Sequence, residues 1–382
     1  MAAASHMPVA IYHPEYERYA FAGDHPFSPL RIAMVLDLLQ VLGHNIETLS
    51  PEPATTEDLL TVHAQEYLRA VASASSNGGM ARPDFGLGAP DNPILEGIEV
   101  GARRIVGGTL LGARLIAEGR AERVLQLGGG LHHAMPQLAS GFCIFNDLAI
   151  AIGELTRRGL TVAYLDIDVH HGDGVQQILY DQERTMTLSL HESGEYLFPG
   201  TGAIHELGRG LGRGFKLNLP LEPFTEGESY LEAFERIVEP ALDYFAPDVL
   251  VVQAGADAHF SDPLADLMLT THDYERLFRR LLEYADAYTH GRLLVTLGGG
   301  YSIRATPRIW TLLSLVFFNL PIPTQLPAPW LERWAEALGD DPPQTLHDIL
   351  PAFDPIPRRP EIDRHNRLVA TRLLDAVSML WL

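Results

Sequence analysis

The residues best suited to chemistry stand in one run, Asp166-Ile167-Asp168-Val169-His170-His171-Gly172-Asp173, which follows an apolar stretch. Side chains alternate across an extended strand, so Asp166, Asp168 and His170 are expected on one side if the strand continues. Two carboxylates and an imidazole on one side are plausible ligands for a metal ion. Asp257, in Gly255-Ala256-Asp257, ends a second apolar run. Asp168, His170 and Asp257 would make a three-ligand zinc site with a position left for water, the arrangement of catalytic zinc. The competing expectation is a buried polar network tying strand ends together, which is costly without a metal or partner charges.

His132-His133 follows Gly128-Gly129-Gly130. Imidazole is the side chain best suited to take and return a proton near neutral pH. Asp166 and Asp173 are available to hold one ring each in its required tautomer. The glycine run lacks the lysine and the spacing of a phosphate-binding loop. Tyr301, after Gly298-Gly299-Gly300, is suited to donate a hydrogen bond to a developing oxyanion; alone, a tyrosine there serves packing more often.

These residues need rigid supports, and the chain supplies an alternation of strand-like and helical runs. Strands are predicted over Val9–Tyr12, Arg123–Leu127, Val162–Ile167, Thr185–Leu190, Phe215–Leu219, Val249–Gln253 and Leu293–Leu297. Several are continuous apolar runs, as in parallel strands covered on both faces. Helices are predicted from Ser28-Pro29 onward, where serine caps and proline occupies the first turn. Others cover Leu95–Ala117, Asp147–Arg158, Glu226–Tyr244 and Thr271–Tyr288. The alternation implies an open α/β sheet between helix layers. Four strands end in the polar clusters Gly128–His133, Asp166–Asp173, Gly255–Asp262 and Gly298–Tyr301. Ligands of such sheets bind beyond the carboxyl ends of the strands, so the four clusters are expected to converge.

Of the 382 residues 46% are hydrophobic and 20% charged, as in a soluble globular protein. The formal charge of −21 disfavours binding to nucleic-acid phosphate. Cys143, the single cysteine, allows neither an internal disulfide nor a thiolate zinc cluster and fits a reducing cytoplasm. Residues 1–6 read as an expression scar before a natural start at Met7, with no secretory signal. The apolar run Ile309–Leu320 falls short of the ~20 residues of a membrane span and reads as a buried helix. From Pro321 to Pro360 proline is frequent, suggesting an irregular wrap. A last helix over residues 362–382 is expected to dock on the same domain, with a dimer contact as the alternative.

Taken in order, Gly129-Gly130-Leu131-His132-His133-Ala134, Ser140-Gly141-Phe142-Cys143 with Asn146-Asp147, the run Asp166–Gly174, Phe198-Pro199-Gly200-Thr201-Gly202, Gly255-Ala256-Asp257 and Gly299-Gly300-Tyr301 resemble the motif set of zinc-dependent histone deacetylases. The similarity runs from about Tyr12 to about Leu320. Asp91-Asn92-Pro93 and Phe215-Lys216-Leu217-Asn218 lean towards the bacterial acetoin-utilisation deacetylases. The resemblance implies the arginase/deacetylase α/β fold, a mainly parallel sheet between helix layers, in a single domain over residues 7–382. It implies zinc on Asp168, His170 and Asp257, with His133 as general base and acid paired with Asp173. His132, paired with Asp166, would be a second and mainly electrostatic histidine, and Tyr301 would polarise the acyl carbonyl. Phe142 and Phe198 would sandwich lysine methylenes, with Gly141, Leu264 and Gly299 lining the same tunnel. Asp91 would hold substrate amides at the rim, and Arg31 would lie near an internal acetate pocket. A structural potassium is implied near Asp166, Asp168, His170, Ser189 and Leu190, largely on backbone carbonyls. The implied reaction is hydrolysis of an acyl-lysine or related acylamine.

The chain departs from the family at four positions. Leu297 stands where a fourth glycine is usual and Ser302 where asparagine follows the tyrosine. His259-Phe260 replace the small residues usual after the third ligand. Three rival readings follow. A two-metal ureohydrolase on the same fold would need a further bridging aspartate where Gly172 stands. An acetylpolyamine deacetylase tends to carry an acidic gatekeeper where Leu264 stands. A catalytically dead acyl-lysine binding module would not need His132, His133 and Tyr301 together.

Overall fold

A computed structural model describes residues 8–21, 25–76 and 78–381. The expression scar expected at residues 1–6 and the final residue of the last predicted helix lie outside this range. Eight strands are found among the described residues: β1 (Val9–Ile11), β2 (Thr48–Leu49), β3 (Arg123–Gln126), β4 (Val162–Asp166), β5 (Thr185–Glu192), β6 (Lys216–Leu221), β7 (Val249–Gln253) and β8 (Leu293–Thr296). They form one sheet in the order β2-β1-β3-β8-β7-β4-β5-β6, and every pairing is parallel.

The reason for burial on both faces is visible in β7. Val249 and Val251 enter one apolar cluster, whereas Leu250 and Val252 enter the other, as alternation across a strand requires. Helices α1 (Leu30–Val41), α2 (Thr56–Leu59), α3 (Gln65–Ala74), α4 (Ile98–Ala117), α5 (Asp147–Arg157), α6 (Asp173–Ile178), α7 (Gly227–Phe245), α8 (Thr271–Tyr288), α9 (Thr306–Phe317), α10 (Ala328–Arg333), α11 (Ala335–Leu338) and α12 (Arg359–Ser378) complete the structure. Those from α4 and α5 cover one face, and α1, α7, α8, α9 and α12 contribute to the other.

Several boundaries differ from the sequence reading. Helix α1 opens at Leu30 with Pro29 in the cap position, where proline offers no side-chain acceptor, while Ser28 Oγ, one residue earlier, accepts the Leu30 N–H at 3.3 Å. The two-residue edge strand β2 is exposed, so no apolar pattern betrays it. The proline-rich segment holds the short helices α10 and α11 rather than being irregular throughout. The last helix runs from Arg359 to Ser378. It docks on the chain itself: Asn366 bonds Thr225, Ser229 and Glu222 N, and Trp381 stacks on Tyr244 at 4.7 Å. The run from Ile309 is a buried helix, and no helix among the described residues is long and apolar enough to cross a membrane.

The register levels the strand ends. Gln126, Thr296, Gln253 and Asp166 pair in one row across β3, β8, β7 and β4. These four strands are adjacent, so the four polar clusters that follow them open at one edge of the sheet.

Candidate active site

Strand β4 ends at Asp166, so the alternation expected to bring Asp166, Asp168 and His170 to one side does not continue. Asp166 turns to the histidine loop. Its Oδ2 accepts from His132 Nδ1 at 2.8 Å and from the Tyr164 hydroxyl at 2.5 Å. Its Oδ1 accepts the Asp168 N–H at 3.2 Å. Asp168 and His170 point instead at Asp257, beyond β7. His170 Nδ1 lies 3.1 Å from Asp168 Oδ1 and 3.2 Å from Asp257 Oδ2. One ligand atom from each of the three falls within 4.8 Å of the others. Among the described residues, no other group of three or more His, Cys, Asp and Glu is close enough to share an ion.

The chain fixes these carboxylates with its own donors. Gln253 Nε2 and Gly299 N bond Asp168 Oδ2 at 2.6 and 2.8 Å, and Val169 N bonds Asp257 Oδ1 at 2.9 Å. Asp168, His170 and Asp257 are all buried. Burial and then the charge of Asp168 push the Asp257 carboxyl up to about 8. Burial opposes charge on His170, yet Asp168 and Asp257 hold it up at about 10. Two carboxylates that repel each other out of water, with an imidazole between them, form a donor set that a divalent cation fits.

His132 and His133 sit beside this group. His133 Nδ1 bonds Asp173 Oδ1 at 2.7 Å, at the start of α6. The loop that carries both histidines is clamped by Asp147, the first residue of α5, whose carboxylate accepts Gly130 N at 3.1 Å and Leu131 N at 2.8 Å. Burial and the charge of His132 push His133 down to about 4, against the pull of Asp173. Burial also disfavours the charged His132, but Asp166 and Asp168 outweigh it and hold this ring at about 9.

Aromatic rings line the approach. Phe198, 47% exposed, packs edge-on to His133 at 5.0 Å. Phe142 packs on Tyr301 at 5.5 Å and on His25 at 4.5 Å. Gly141 separates Phe142 from His133 at φ +52, and a Cβ there would lie 2.4 Å from the His133 ring. A narrow cavity of about 20 Å³ is lined by His132, His133, Phe142, Asp168, Gly299 and Tyr301, among others. Asp91 reaches the same place, its Oδ2 accepting Gly141 N at 3.0 Å.

Arg31 lies deeper, buried, and donates to Gly300 O at 2.6 Å and Gly298 O at 3.3 Å. A second cavity of about 20 Å³ there is lined by Arg31, Tyr16, Tyr19, Gly128 and Trp310 among others. Ser189 stands opposite Asp166 in the β4–β5 register, with Leu190 next along β5. Leu264 N donates to Asp262 Oδ1 at 3.0 Å, and Asp262 Oδ2 accepts Tyr301 N at 2.7 Å.

Asp147 and Asp262 fall inside motifs named from the sequence but were given no role there, and Gln253 and Tyr164 were not considered for the site. Gln253 and Tyr164 interrupt apolar strands, a signal that was available. The reach of Asp262 to the tyrosine loop had no local signal.

The chain belongs to the histone deacetylase family: the histone deacetylase domain matches residues 25–316. It is similar to the acetoin utilization protein AcuC of Bacillus subtilis (strain 168), with 39% identity over 375 residues covering 97% of either chain. The protein of the same name from Staphylococcus xylosus is 36% identical over 375 residues, 96% of this chain and 97% of its own. Among solved structures, an HDAC homolog from Aquifex aeolicus superposes with a TM-score of 0.83 at 27% identity, over 94% of this chain and 100% of that one. An HDAC homolog complexed with SAHA gives 0.85 at 25% identity, over 97% and 99%. The fold is therefore the arginase/deacetylase fold, and the chain is a deacetylase of this family.

Proposed function

We propose that this chain is a zinc-dependent amidohydrolase that removes acetyl or other acyl groups from lysine side chains of proteins or from related acylamines. The observation that carries the reading is the buried Asp168, His170 and Asp257 group beside two histidines each tied to its own aspartate. Asp168, His170 and Asp257 would hold the ion. When bound, zinc supplies Lewis-acid polarisation of the acyl carbonyl and acidifies the attacking water.

The rest is the work of the chain. His133, neutral at pH 7 with its Nδ1–H held by Asp173, keeps its lone pair on Nε2, where the Nε2–H of His132 lies 3.1 Å away; taking the proton of the attacking water there displaces that contact. His133 returns that proton to the leaving amine. His132, held charged by Asp166 and Asp168, stabilises the negative charge that builds nearby. Burial raises the Tyr301 hydroxyl well above its ordinary value, so it stays protonated and donates to the oxyanion. Phe142 and Phe198 enclose the methylenes of the acylated side chain, Gly141, Gly299 and Leu264 border them, and Asp91 orients the substrate at the rim. Arg31 serves the acetate pocket beneath. The same reading gives a structural potassium to the backbone around Asp166, Asp168, His170, Ser189 and Leu190.

A single metal suits this geometry better than two. At Gly172, where a ureohydrolase needs a bridging aspartate, a Cβ would lie 2.3 Å from Asp166 Oδ2.

Metal analysis with an acetyl-lysine peptide assay tests the reading. One divalent ion per chain is expected, with activity lost on chelation and restored by zinc. Asp168→Ala and His170→Ala should lose ion and activity together. Full activity in a metal-free preparation refutes the mechanism.

A further inference from the structure

The segment that leaves β7 carries four residues of interest within a short span: Asp257, His259, Asp262 and Leu264. Asp262 suspends the tyrosine loop, accepting Tyr301 N at 2.7 Å and Ser302 N at 3.3 Å on one oxygen. His259 lies between the metal-site aspartate and Asp262, with its side chain buried. Its Nδ1 accepts the Ser261 backbone N–H at 3.2 Å, which leaves the ring proton on Nε2. That Nε2–H donates to Asp348 Oδ2 at 2.9 Å.

Asp348 belongs to the proline-rich wrap, beyond residue 316 where the histone deacetylase domain match ends. Its carboxylate is fully engaged. Oδ2 also accepts the Thr271 N–H at 2.7 Å and the Thr271 hydroxyl at 2.9 Å. Oδ1 pairs with Arg308 at 2.9 Å, both side chains being nearly buried. A second contact ties the same two segments: Phe260 packs on Phe353 of the wrap at 5.4 Å. His259 and Phe260 are the positions where this chain replaces the family's usual small residues. The bulk added there is what the wrap grips.

We propose that Asp348 and His259 are positioning residues for Tyr301. Both nitrogens of the His259 ring are used, so the ring cannot rotate without leaving a buried polar group unpaired. Fixing it fixes the segment that carries Asp262, and Asp262 fixes the backbone of Tyr301. Ser261 adds a surface tie, its hydroxyl lying 3.1 Å from that of Ser302 and 2.9 Å from His259 Nδ1. An oxyanion donor works only when aimed at the oxygen that becomes charged, and small displacements are costly. The proposal rests on Tyr301 being that donor. The competing explanation is that Asp348 only staples the wrap to α8 and α9.

Kinetics of His259→Leu, His259→Gln, Asp348→Ala and Tyr301→Phe on an acetyl-lysine peptide separate the two. Turnover is expressed per active site, counted by titration with a tight-binding hydroxamate, and metal content is measured alongside. The expected kcat loss for His259→Leu and Asp348→Ala is about tenfold, the effect of one misplaced hydrogen bond, with KM and metal content unchanged. His259→Gln, which keeps a donor for Asp348, should recover most of it. In a Tyr301→Phe background His259→Leu should cost nothing further, because its effect passes through the missing hydroxyl. A merely structural staple would lower the number of active sites and the melting temperature but leave kcat per site intact, which overturns the proposal. Loss of metal together with activity, or losses that multiply in the double variant, overturn it too. If Asp348→Ala does not fold, the His259 variants decide. A Tyr301→Phe enzyme with undiminished kcat overturns the reading of Tyr301 and this proposal with it, a result distinct from the others.

Discussion

The Nε2 atoms of His132 and His133 face each other at 3.1 Å, while each Nδ1 is bound to a different aspartate. With both Nδ1 atoms donating, two bare Nε2 lone pairs at this distance would repel, so one ring must carry a second proton. The surroundings choose His132, which lies near both Asp166 and Asp168, and leave His133 neutral.

This asymmetry sets unequal roles. His133→Ala should lose roughly 10²–10⁴-fold in kcat, the scale of general acid–base catalysis, with the metal retained. His132→Ala should lose less, since its contribution is electrostatic. Tyr301→Phe should cost about 10²–10³-fold, as does removal of one oxyanion donor. Turnover and metal content of the three variants check the ranking. A greater loss for His132→Ala with metal retained would reverse the assignment.

Gly141 tolerates no side chain. At φ +52, with a Cβ 2.4 Å from His133 and 3.0 Å from Phe198, Gly141→Ala adds backbone strain and pushes the His133 ring. A kcat loss of roughly 10²-fold, as for a misplacement of about 1 Å, is expected together with a lower melting temperature. Unchanged kinetics would show that the loop yields instead of the ring.

Leu264 supplies no charge near the tyrosine loop. Leu264→Glu should raise kcat/KM for acetylpolyamines relative to acetyl-lysine peptides, through attraction of a second cationic nitrogen. The ratio of the two specificities is the measurement. If it does not move, Leu264 is not a gatekeeper.

Lys216, the only lysine in the chain, is buried, and its Nζ donates to Thr185 O at 2.6 Å and Gln182 O at 3.2 Å. Burial pushes it down from 10.5 to about 7. Between these values the unfolded chain binds one more proton than the folded one, so this group makes stability rise with pH. Unfolding free energy of the native chain minus that of Lys216→Met should therefore climb from pH 7 towards pH 10. A flat difference would mean that the amine keeps its ordinary affinity for protons.

How the fold and site could be read from the chain differs from residue to residue. The interior strands were legible because their runs are apolar on both faces, and β7 appears with the bounds expected of it, Val249–Gln253. Helix α8 likewise begins at Thr271 and ends at Tyr288 as expected, because Thr270 and Asp273 form a capping box at its start. The four-residue helix α2 and the edge strand β2 passed unnoticed, since a few residues carry too little periodicity, whereas α3 buries Tyr67, Leu68, Val71 and Ala74 at helical spacing, a signal that was available.

The sequence by itself determined which residue types follow each strand and where the glycines allow close approach, for these are properties of local pattern. It did not determine direction. Asp166 and Asp168 stand two apart, yet one bonds His132 and the other faces His170 and Asp257, because β4 ends between them. The convergence of the strand ends needed β3 and β8, about 170 residues apart in sequence, to become neighbours, and that follows from the packing order of the whole sheet. Only the tertiary structure brought Asp348 to His259 across 89 residues. Such a contact is decided by how the wrap crosses α8 and α9, where no periodicity of either segment records the other.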